Sequence, residues 1–186
     1  MGSYSTARAW PSTVYARTGI WRPLRTNATI GGATVRVSID IGFGDAIEPG
    51  LEELDYPAPL DNPAPHLRAY SRETVIAEKF QAMVVLGRAN SRMKDFYDIW
   101  LLAKTHLFED DRLARAIAAT FERRRMTIPS NIPDALTEGF ASDPAKQQQW
   151  AAFARGLEVD APPLTRIVAE IAEFLMPYAA KARLSG

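Results

Sequence analysis

The chain has 186 residues, and its 22 lysines and arginines are balanced by 22 aspartates and glutamates. This length suits one domain with a well-packed core, and the zero net charge does not indicate a nucleic-acid-binding protein. Cysteine is absent, which excludes a disulfide framework and a thiolate zinc site. No apolar run reaches the roughly 20 residues of a membrane helix, so we expect a soluble, cytoplasmic protein that makes no use of a membrane.

The first part of the chain is basic. It contains no aspartate or glutamate before Asp40, whereas five arginines precede that residue: Arg8, Arg17, Arg22, Arg25 and Arg36. Residues 1–18 show neither the period of a helix nor that of a strand. We expect a disordered basic tail over this range.

A β-hairpin is predicted next. Residues 20–30 are typical of a short strand that Pro23 interrupts, and Gly31 and Gly32 then form a turn. Apolar residues alternate strictly after it, at Val35, Val37, Ile39 and Ile41. The two glycines do not indicate a phosphate-binding loop, because such a loop opens a helix and a strand follows here.

Asp40 occupies the opposite face of the second strand from the valines, since side chains alternate along a strand. Gly42 and Gly44 allow a tight bend directly after it. Asp40 is therefore either a turn residue, as aspartates before glycine turns often are, or a carboxylate with a chemical role.

The segment from Ile47 to Leu67 is rich in proline, and we expect an extended connection without secondary structure. His66 and His106 each stand alone in the sequence, without a partner at the spacing of metal ligands. We treat both as non-catalytic.

Two helices are predicted between Ser71 and Leu102, and each carries a charged residue inside its apolar face. On the first helix Lys79 falls within the apolar side, while Glu78 points to solvent. That apolar side consists of Val75, Ile76, Phe80, Met83, Leu86 and Gly87. On the second helix Asp95 lies on the face of Phe96, Ile99, Trp100 and Ala103.

A buried lysine or aspartate needs a partner or a polar cleft. Lys79 and Asp95 can pair with each other and lock two antiparallel helices together. Alternatively, they can line a polar cleft in which the cation binds phosphate and the carboxylate lies beside it, with Asp40 at the rim. We favour the cleft. Asp98 and Lys94, four residues apart, are by themselves typical of an ordinary surface pair.

Three more helices follow. The first is capped by Asp110 or Asp111 and ends in Arg123–Arg125, a cluster that either complements the helix dipole or contacts phosphate. The second begins at Asp143 and Pro144, and the last follows Pro162 and Pro163. Their predicted inward residues are Leu113, Ile117, Thr120 and Phe121, then Trp150, Phe153 and Leu157, and finally Leu164, Ile167, Val168, Ile171, Phe174 and Leu175.

Three segments in this order resemble the nucleotidyltransferase AbiEii/AbiGii toxin family. They are residues 39–45 (IDIGFGD), 70–79 (YSRETVIAEK) and 90–98 (NSRMKDFYD), and the resemblance runs from about Gly31 to Pro177. It implies an α+β fold, with a small, incomplete antiparallel sheet at about residues 20–46 packed on a larger helical body. The corresponding domains are a tail at 1–18, a sheet remnant with its connection at 19–68, and a helical domain at 69–186.

The resemblance also implies the roles of particular residues. Two helix motifs of the family fall on Thr74, Glu78 and Lys79, and on Lys94, Asp95 and Asp98. Carried over, Asp40, Lys79 and Asp95 are catalytic, and Asp40 holds Mg²⁺. The residues that the resemblance implies for nucleotide binding are Thr74, Lys79, Lys94 and Asp98.

The resemblance implies nucleotidyl transfer from a nucleoside triphosphate to an RNA or protein acceptor, together with a cognate antitoxin. Enzymes of this kind use a carboxylate pair after a glycine-rich loop and a third carboxylate on a neighbouring strand. Asp40 matches only the third, so we expect the chain to correspond to the C-terminal three-fifths of a family member, without its first catalytic segment. Two function classes remain: a nucleotidyltransferase-type toxin, and a non-catalytic remnant or binding module that retains nucleotide or antitoxin binding.

Overall fold

The computed structural model describes residues 20–43, 46–58 and 63–184, and it confirms the α+β class. The strands are β1 (Ile20–Ile30), β2 (Ala33–Phe43), β3 (Leu51–Asp55) and β4 (His66–Tyr70). The helices are α1 (Arg72–Leu86), α2 (Met93–Thr105), α3 (Asp110–Arg123), α4 (Glu138–Ala141), α5 (Pro144–Ala154) and α6 (Leu164–Leu184). Short 3₁₀ turns cover Gly87–Ala89 and Asp134–Leu136. The predicted tail at residues 1–18 lies outside the described residues.

The chain divides into two compact units, residues 1–45 and residues 46–186. Strands β1 and β2 belong to the first unit. Strands β3 and β4 belong to the second unit, with all six of the described α-helices. The boundary therefore falls before the proline-rich segment.

In the first unit, β1 and β2 form the predicted antiparallel hairpin. Ile30 pairs with Ala33 across the two-residue turn, in which Gly31 and Gly32 have φ angles of 55° and 85°. Positive φ at both turn positions suits glycine, and such turns match the twist of a hairpin. The expected interruption at Pro23 was wrong, because β1 continues through it in register with Asp40. An outer strand tolerates proline where no ladder bond requires its missing N–H.

The second hairpin corrects the prediction that residues 47–67 contain no secondary structure. Strand β3 pairs with β4 in antiparallel register, from Leu51 opposite Tyr70 to Asp55 opposite His66. The prolines lie outside both strands, so they leave the ladder intact. His66 hydrogen-bonds Asp55 at 2.9 Å, and this contact and one to Glu53 raise the pKa of its exposed imidazole.

The helices of the second unit enclose one apolar core. The buried side chains include most of the predicted inward residues, among them Ile76, Phe80, Met83, Phe96, Ile99, Leu113, Ile117, Phe121, Ile167 and Ile171. Aromatic pairs join the helices across this core: Phe80 and Phe121 have ring centroids 5.6 Å apart, and Phe96 and Phe140 are 5.4 Å apart. The apolar stripes at helical spacing therefore face one another, as their periodicity predicts.

Helix starts follow their capping residues. Ser71 caps α1 by accepting the backbone N–H of Thr74, and Asp143 caps α5, with Pro144 at the first helical position. The predicted cap at Asp110 or Asp111 was wrong: Glu109 takes the cap position of α3, and the two aspartates lie in its first turn. They stabilise the helix dipole from there instead.

One polar junction fastens α2 to α6. The Glu170 carboxylate accepts hydrogen bonds from Trp100 Nε1 at 2.8 Å and from Arg166 Nε at 2.8 Å, and it lies 2.9 Å from Lys104 Nζ. These contacts lower the pKa of Glu170 from 4.5 to about 2, and the hydrogen bond from Arg166 has the largest effect. The ionised form is therefore favoured in the folded state.

We expect Glu170→Gln to reduce the free energy of unfolding at neutral pH and to make no difference in strong acid. A lowered pKa contributes stability above the unfolded value of 4.5, and this contribution is lost as the pH falls through about 2. Urea unfolding of both proteins across that pH range measures the difference. Glu173→Gln, on the same helix, is the matched control. An equal effect of Glu170→Gln at both ends of the pH range contradicts the assignment.

Candidate functional site

Lys79 projects from the middle of α1 toward the start of α2. Its Nζ donates hydrogen bonds to Asp95 Oδ1 at 2.6 Å and to Asp98 Oδ2 at 2.8 Å. The lysine side chain is 16% exposed and that of Asp95 is 6% exposed. The direct pairing of Lys79 with Asp95, which was the alternative to the favoured cleft, is therefore present, and Asp98 joins the same site.

The two carboxylates reach Lys79 because they are three residues apart on α2 and share one face. Asp98 Oδ2 also accepts a hydrogen bond from Lys94 Nζ at 2.6 Å. Lys94 is 72% exposed, so its ammonium lies at the rim. The two sequence motifs lie on separate helices, α1 and α2. The structure brings four of their residues together: Lys79, Lys94, Asp95 and Asp98.

Arg92 completes this cluster, and the sequence analysis did not include it. Its Nε lies 2.6 Å from Asp95 Oδ2 in an i, i+3 pair at the start of α2. The Arg92 side chain is 56% exposed. Arginine three residues before a carboxylate is a spacing that favours contact at a helix start, so this signal was available in the sequence. We call Lys79, Arg92, Lys94, Asp95 and Asp98 the Lys79 cluster.

The cluster keeps Lys79 and Asp98 charged. Burial lowers the pKa of Lys79, but the hydrogen bonds to Asp95 and Asp98 outweigh this effect and leave the pKa raised above 10.5. Burial likewise raises the pKa of Asp98, whereas the hydrogen bonds from Lys79 and Lys94 prevail and hold it below 3.8. Lys79 therefore stays an ammonium at neutral pH and Asp98 stays a carboxylate.

The cluster can bind an anion. Three cations and two carboxylates leave it with one positive charge. A lysine ammonium has three N–H groups, and the two carboxylates occupy two of those on Lys79, so one remains. The exposed Arg92 and Lys94 side chains lie beside it and supply further donors.

Thr74 is placed differently. Its hydroxyl donates to the Glu48 backbone carbonyl at 2.7 Å and lies 3.1 Å from Ser71 Oγ, and the residue is buried. Lys79 follows Thr74 by five positions, which places the two side chains about 140° apart around the α1 axis. The structure does not show Thr74 joining the cluster, and its nucleotide-binding role stays a prediction.

Glu78 corrects the expectation of a solvent-facing residue. It accepts a hydrogen bond from Arg124 Nη2 at 3.0 Å, and the two side chains are 24% and 15% exposed. Arg124 belongs to the cluster of arginines that ends α3 and was considered for phosphate contact. This arginine instead joins α3 to α1.

The Asp40 side chain lies outside what the structure describes. Its backbone is in β2, opposite Pro23, in the unit formed by residues 1–45. Among the described residues, no group of three His, Cys, Asp or Glu side chains is placed to hold a metal ion. The two carboxylates of the Lys79 cluster bind cationic side chains and do not form such a centre. A metal role for Asp40 stays a prediction.

The described part of the chain contains no helix with both the length and the apolar character that crossing a membrane requires.

The fold and the cluster define an α+β protein in which lysine, arginine and aspartate side chains of two adjacent helices form one ion-pair cluster. The family model described as "Nucleotidyl transferase AbiEii toxin, Type IV TA system" matches residues 6–176. The chain therefore belongs to the AbiEii family of nucleotidyl transferase toxins of type IV toxin–antitoxin systems. The match begins well before Gly31, where the sequence motifs placed the start of the resemblance. No curated protein and no solved structure matches the chain.

We expect Asp98→Asn to lower both the pKa of Lys79 and the stability of the protein. The substitution removes a charged acceptor shared by Lys79 and Lys94, which is worth about 2 kcal/mol. Because the pKa of Asp98 is lowered, this contribution exists above 3.8 and disappears as the pH falls through the folded value. Urea unfolding at neutral and acid pH measures it.

Asp134→Asn is the matched control for this experiment. Asp134 pairs with Arg88 at 2.9 Å, but both side chains are about half exposed. Such a pair contributes roughly 1 kcal/mol or less. Equal losses of stability in the two variants at neutral pH argue against a special role for Asp98.

Proposed function

We propose that this AbiEii-family chain binds a nucleoside triphosphate at the Lys79 cluster, in the cytoplasm. The bound nucleotide is the donor for transfer to an RNA or protein acceptor, and a cognate antitoxin opposes this activity. One observation carries the proposal: the Lys79 ammonium is held between Asp95 and Asp98 with one N–H to spare beside two exposed cations.

The cluster suits a triphosphate for electrostatic reasons. Each phosphate oxygen accepts charge-assisted hydrogen bonds, and Lys79, Arg92 and Lys94 are donors of the right charge. Asp95 and Asp98 fix the direction of the Lys79 ammonium, so that it does not have to be ordered when the nucleotide binds. In this proposal Lys79 contacts phosphate, Lys94 and Arg92 neutralise its outer charge, and the two aspartates orient the lysine.

A second candidate function is nucleotide binding with little or no turnover. The observation that favours it is the absence of any acidic residue before Asp40 in this chain. Transfer of a nucleotide in this superfamily uses several carboxylates close together to hold Mg²⁺. In this proposal Asp40 is the carboxylate on the sheet, and Thr74 assists nucleotide binding through the resemblance alone.

Lys79→Ala is expected to weaken triphosphate binding by about 10- to 100-fold. This factor corresponds to the loss of one charge-assisted hydrogen bond to phosphate. Calorimetric titration with ATP, GTP, CTP and UTP measures the dissociation constants, at a temperature where circular dichroism shows that each protein is folded. Lys104→Ala is the control, because Lys104 pairs with Glu170 away from the cluster. Equal dissociation constants for wild type and Lys79→Ala rule out the proposed site.

Label transfer separates the two candidate functions. Purified chain is incubated with Mg²⁺, total RNA and each α-labelled nucleoside triphosphate, beside an Asp40→Ala variant. Under the second candidate function the protein transfers little or no label while it still binds nucleotide, because loss of metal-holding carboxylates affects turnover more than affinity. Transfer that disappears in Asp40→Ala favours the enzyme over the binding module.

A further inference from the structure

Asn90 organises the turn that leads into α2. It is fully buried. Its backbone N–H donates to Gly87 O at 3.1 Å, and its side-chain Oδ1 accepts the backbone N–H of Arg92 at 2.9 Å. Arg92 occupies the cap position of α2 and makes no side-chain cap bond there. Asn90 therefore holds the residue that precedes the first turn of α2, and the described residues supply no side-chain cap for that turn.

Lys146 reaches this turn from another helix. Its Nζ donates to the Asn90 backbone carbonyl at 2.7 Å, and the residue is only 8% exposed. The Asp143 cap accepts the backbone N–H of Lys146, which fixes the lysine in the first turn of α5. The Lys146 ammonium also lies 5.1 Å from the centroid of the Phe140 ring, a cation–π contact.

The position of Lys146 is unfavourable by itself. A buried ammonium loses hydration, and a cation near a helix N-terminus opposes the helix dipole. Among the described residues no carboxylate pairs with Lys146. A methionine at this position would fill similar space without either penalty, so the charge and the hydrogen bond to Asn90 indicate a role beyond packing.

Asp95 is fixed by Lys79 on one carboxylate oxygen and by Arg92 on the other. Its Oδ2 is buried and forms the ion pair with Arg92 Nε at 2.6 Å. Asn90 Nδ2 is buried without a partner in the same part of the chain. Arg92 follows Asn90 by two positions, so the turn that Asn90 and Lys146 hold lies directly beside the Arg92–Asp95 ion pair.

We propose that Lys146 and Asn90 are positioning residues for the Lys79 cluster: Lys146 fixes the Asn90 turn, and that turn places Arg92 and Asp95 beside Lys79. The consequence for nucleotide binding rests on the proposed function. The consequence for the Lys79–Asp95 pair does not, because that pair is formed by protein side chains alone.

The test compares Lys146→Met, Lys146→Arg and Trp150→Phe with the wild-type chain. Met removes the donor and keeps the stem of the side chain, whereas Arg keeps both charge and donors. Trp150→Phe is the matched control, since it removes a side-chain hydrogen bond to Pro162 O at 3.1 Å from the same helix. Three quantities are measured: the free energy of unfolding, the pKa of Lys79 from its side-chain carbon NMR resonance, and the dissociation constant for ATP, GTP, CTP and UTP.

Lys146→Met is expected to lower the pKa of Lys79 and to weaken triphosphate binding on the order of tenfold, because small displacements of positioned groups weaken their interactions strongly. Lys146→Arg should keep most of the wild-type pKa of Lys79 and most of the wild-type affinity for triphosphate. Trp150→Phe should reduce stability and change neither quantity. If Lys146→Met leaves the pKa of Lys79 where Trp150→Phe leaves it, the positioning role is overturned.

The two proposals fail separately. If the wild-type chain binds none of the four triphosphates, the proposed function fails, and the Lys79 titration still decides the positioning role. If Lys146→Met does not fold, Lys146→Gln, which is neutral and whose amide nitrogen is one bond closer to the backbone and so farther from Asn90 O, takes its place in the same comparison. A pKa of Lys79 that is equal in Lys146→Gln, Lys146→Arg and wild type then overturns the proposal, and a lowered value in Lys146→Gln alone supports it.

Discussion

The second unit depends on keeping a lysine charged although its side chain is only 16% exposed. Lys79 lies on a helix face that is otherwise apolar, and burial by itself would favour loss of its proton. Asp95 and Asp98 prevent this because their spacing of three residues places both on one face of α2. Since the hydrogen bonds form only when α1 and α2 are in one register, the charge requirement also fixes the alignment of the two helices.

Two interpretations of the Lys79–Asp95 pair, a lock between the two helices and a part of a phosphate-binding site, are therefore compatible. Removing either member of a buried ion pair leaves an uncompensated charge, which gives the pair a structural importance regardless of any ligand. The same two hydrogen bonds restrict the Lys79 ammonium to one orientation, and a donor that is already oriented loses less entropy when it binds a phosphate. The exposed Lys94 and Arg92 make the outer side of the cluster positive without joining the core.

Helical periodicity was sufficient to predict Lys79 and Asp95, because a charge within an apolar stripe is visible from 100° steps alone. Strand β3 was not predictable in this way. Its residues, LEELD, are rich in glutamate, and they form a strand because residues 66–70 pair with them across a long proline-containing loop. Arg92 carried a local signal that was overlooked, whereas the bond between Asn90 and Lys146 spans 56 positions and has none.

The arrangement also separates two requirements of nucleotidyl transfer along the chain. The Lys79 cluster comes entirely from residues 79–98 and so from the second unit, while Asp40 belongs to the first. Cations that bind phosphate stabilise the bound nucleotide, whereas carboxylates that hold metal ions act on the charge that develops during transfer. In the proposed function the first set lies wholly within the helical unit, so nucleotide binding would not require residues 1–45, whereas turnover would.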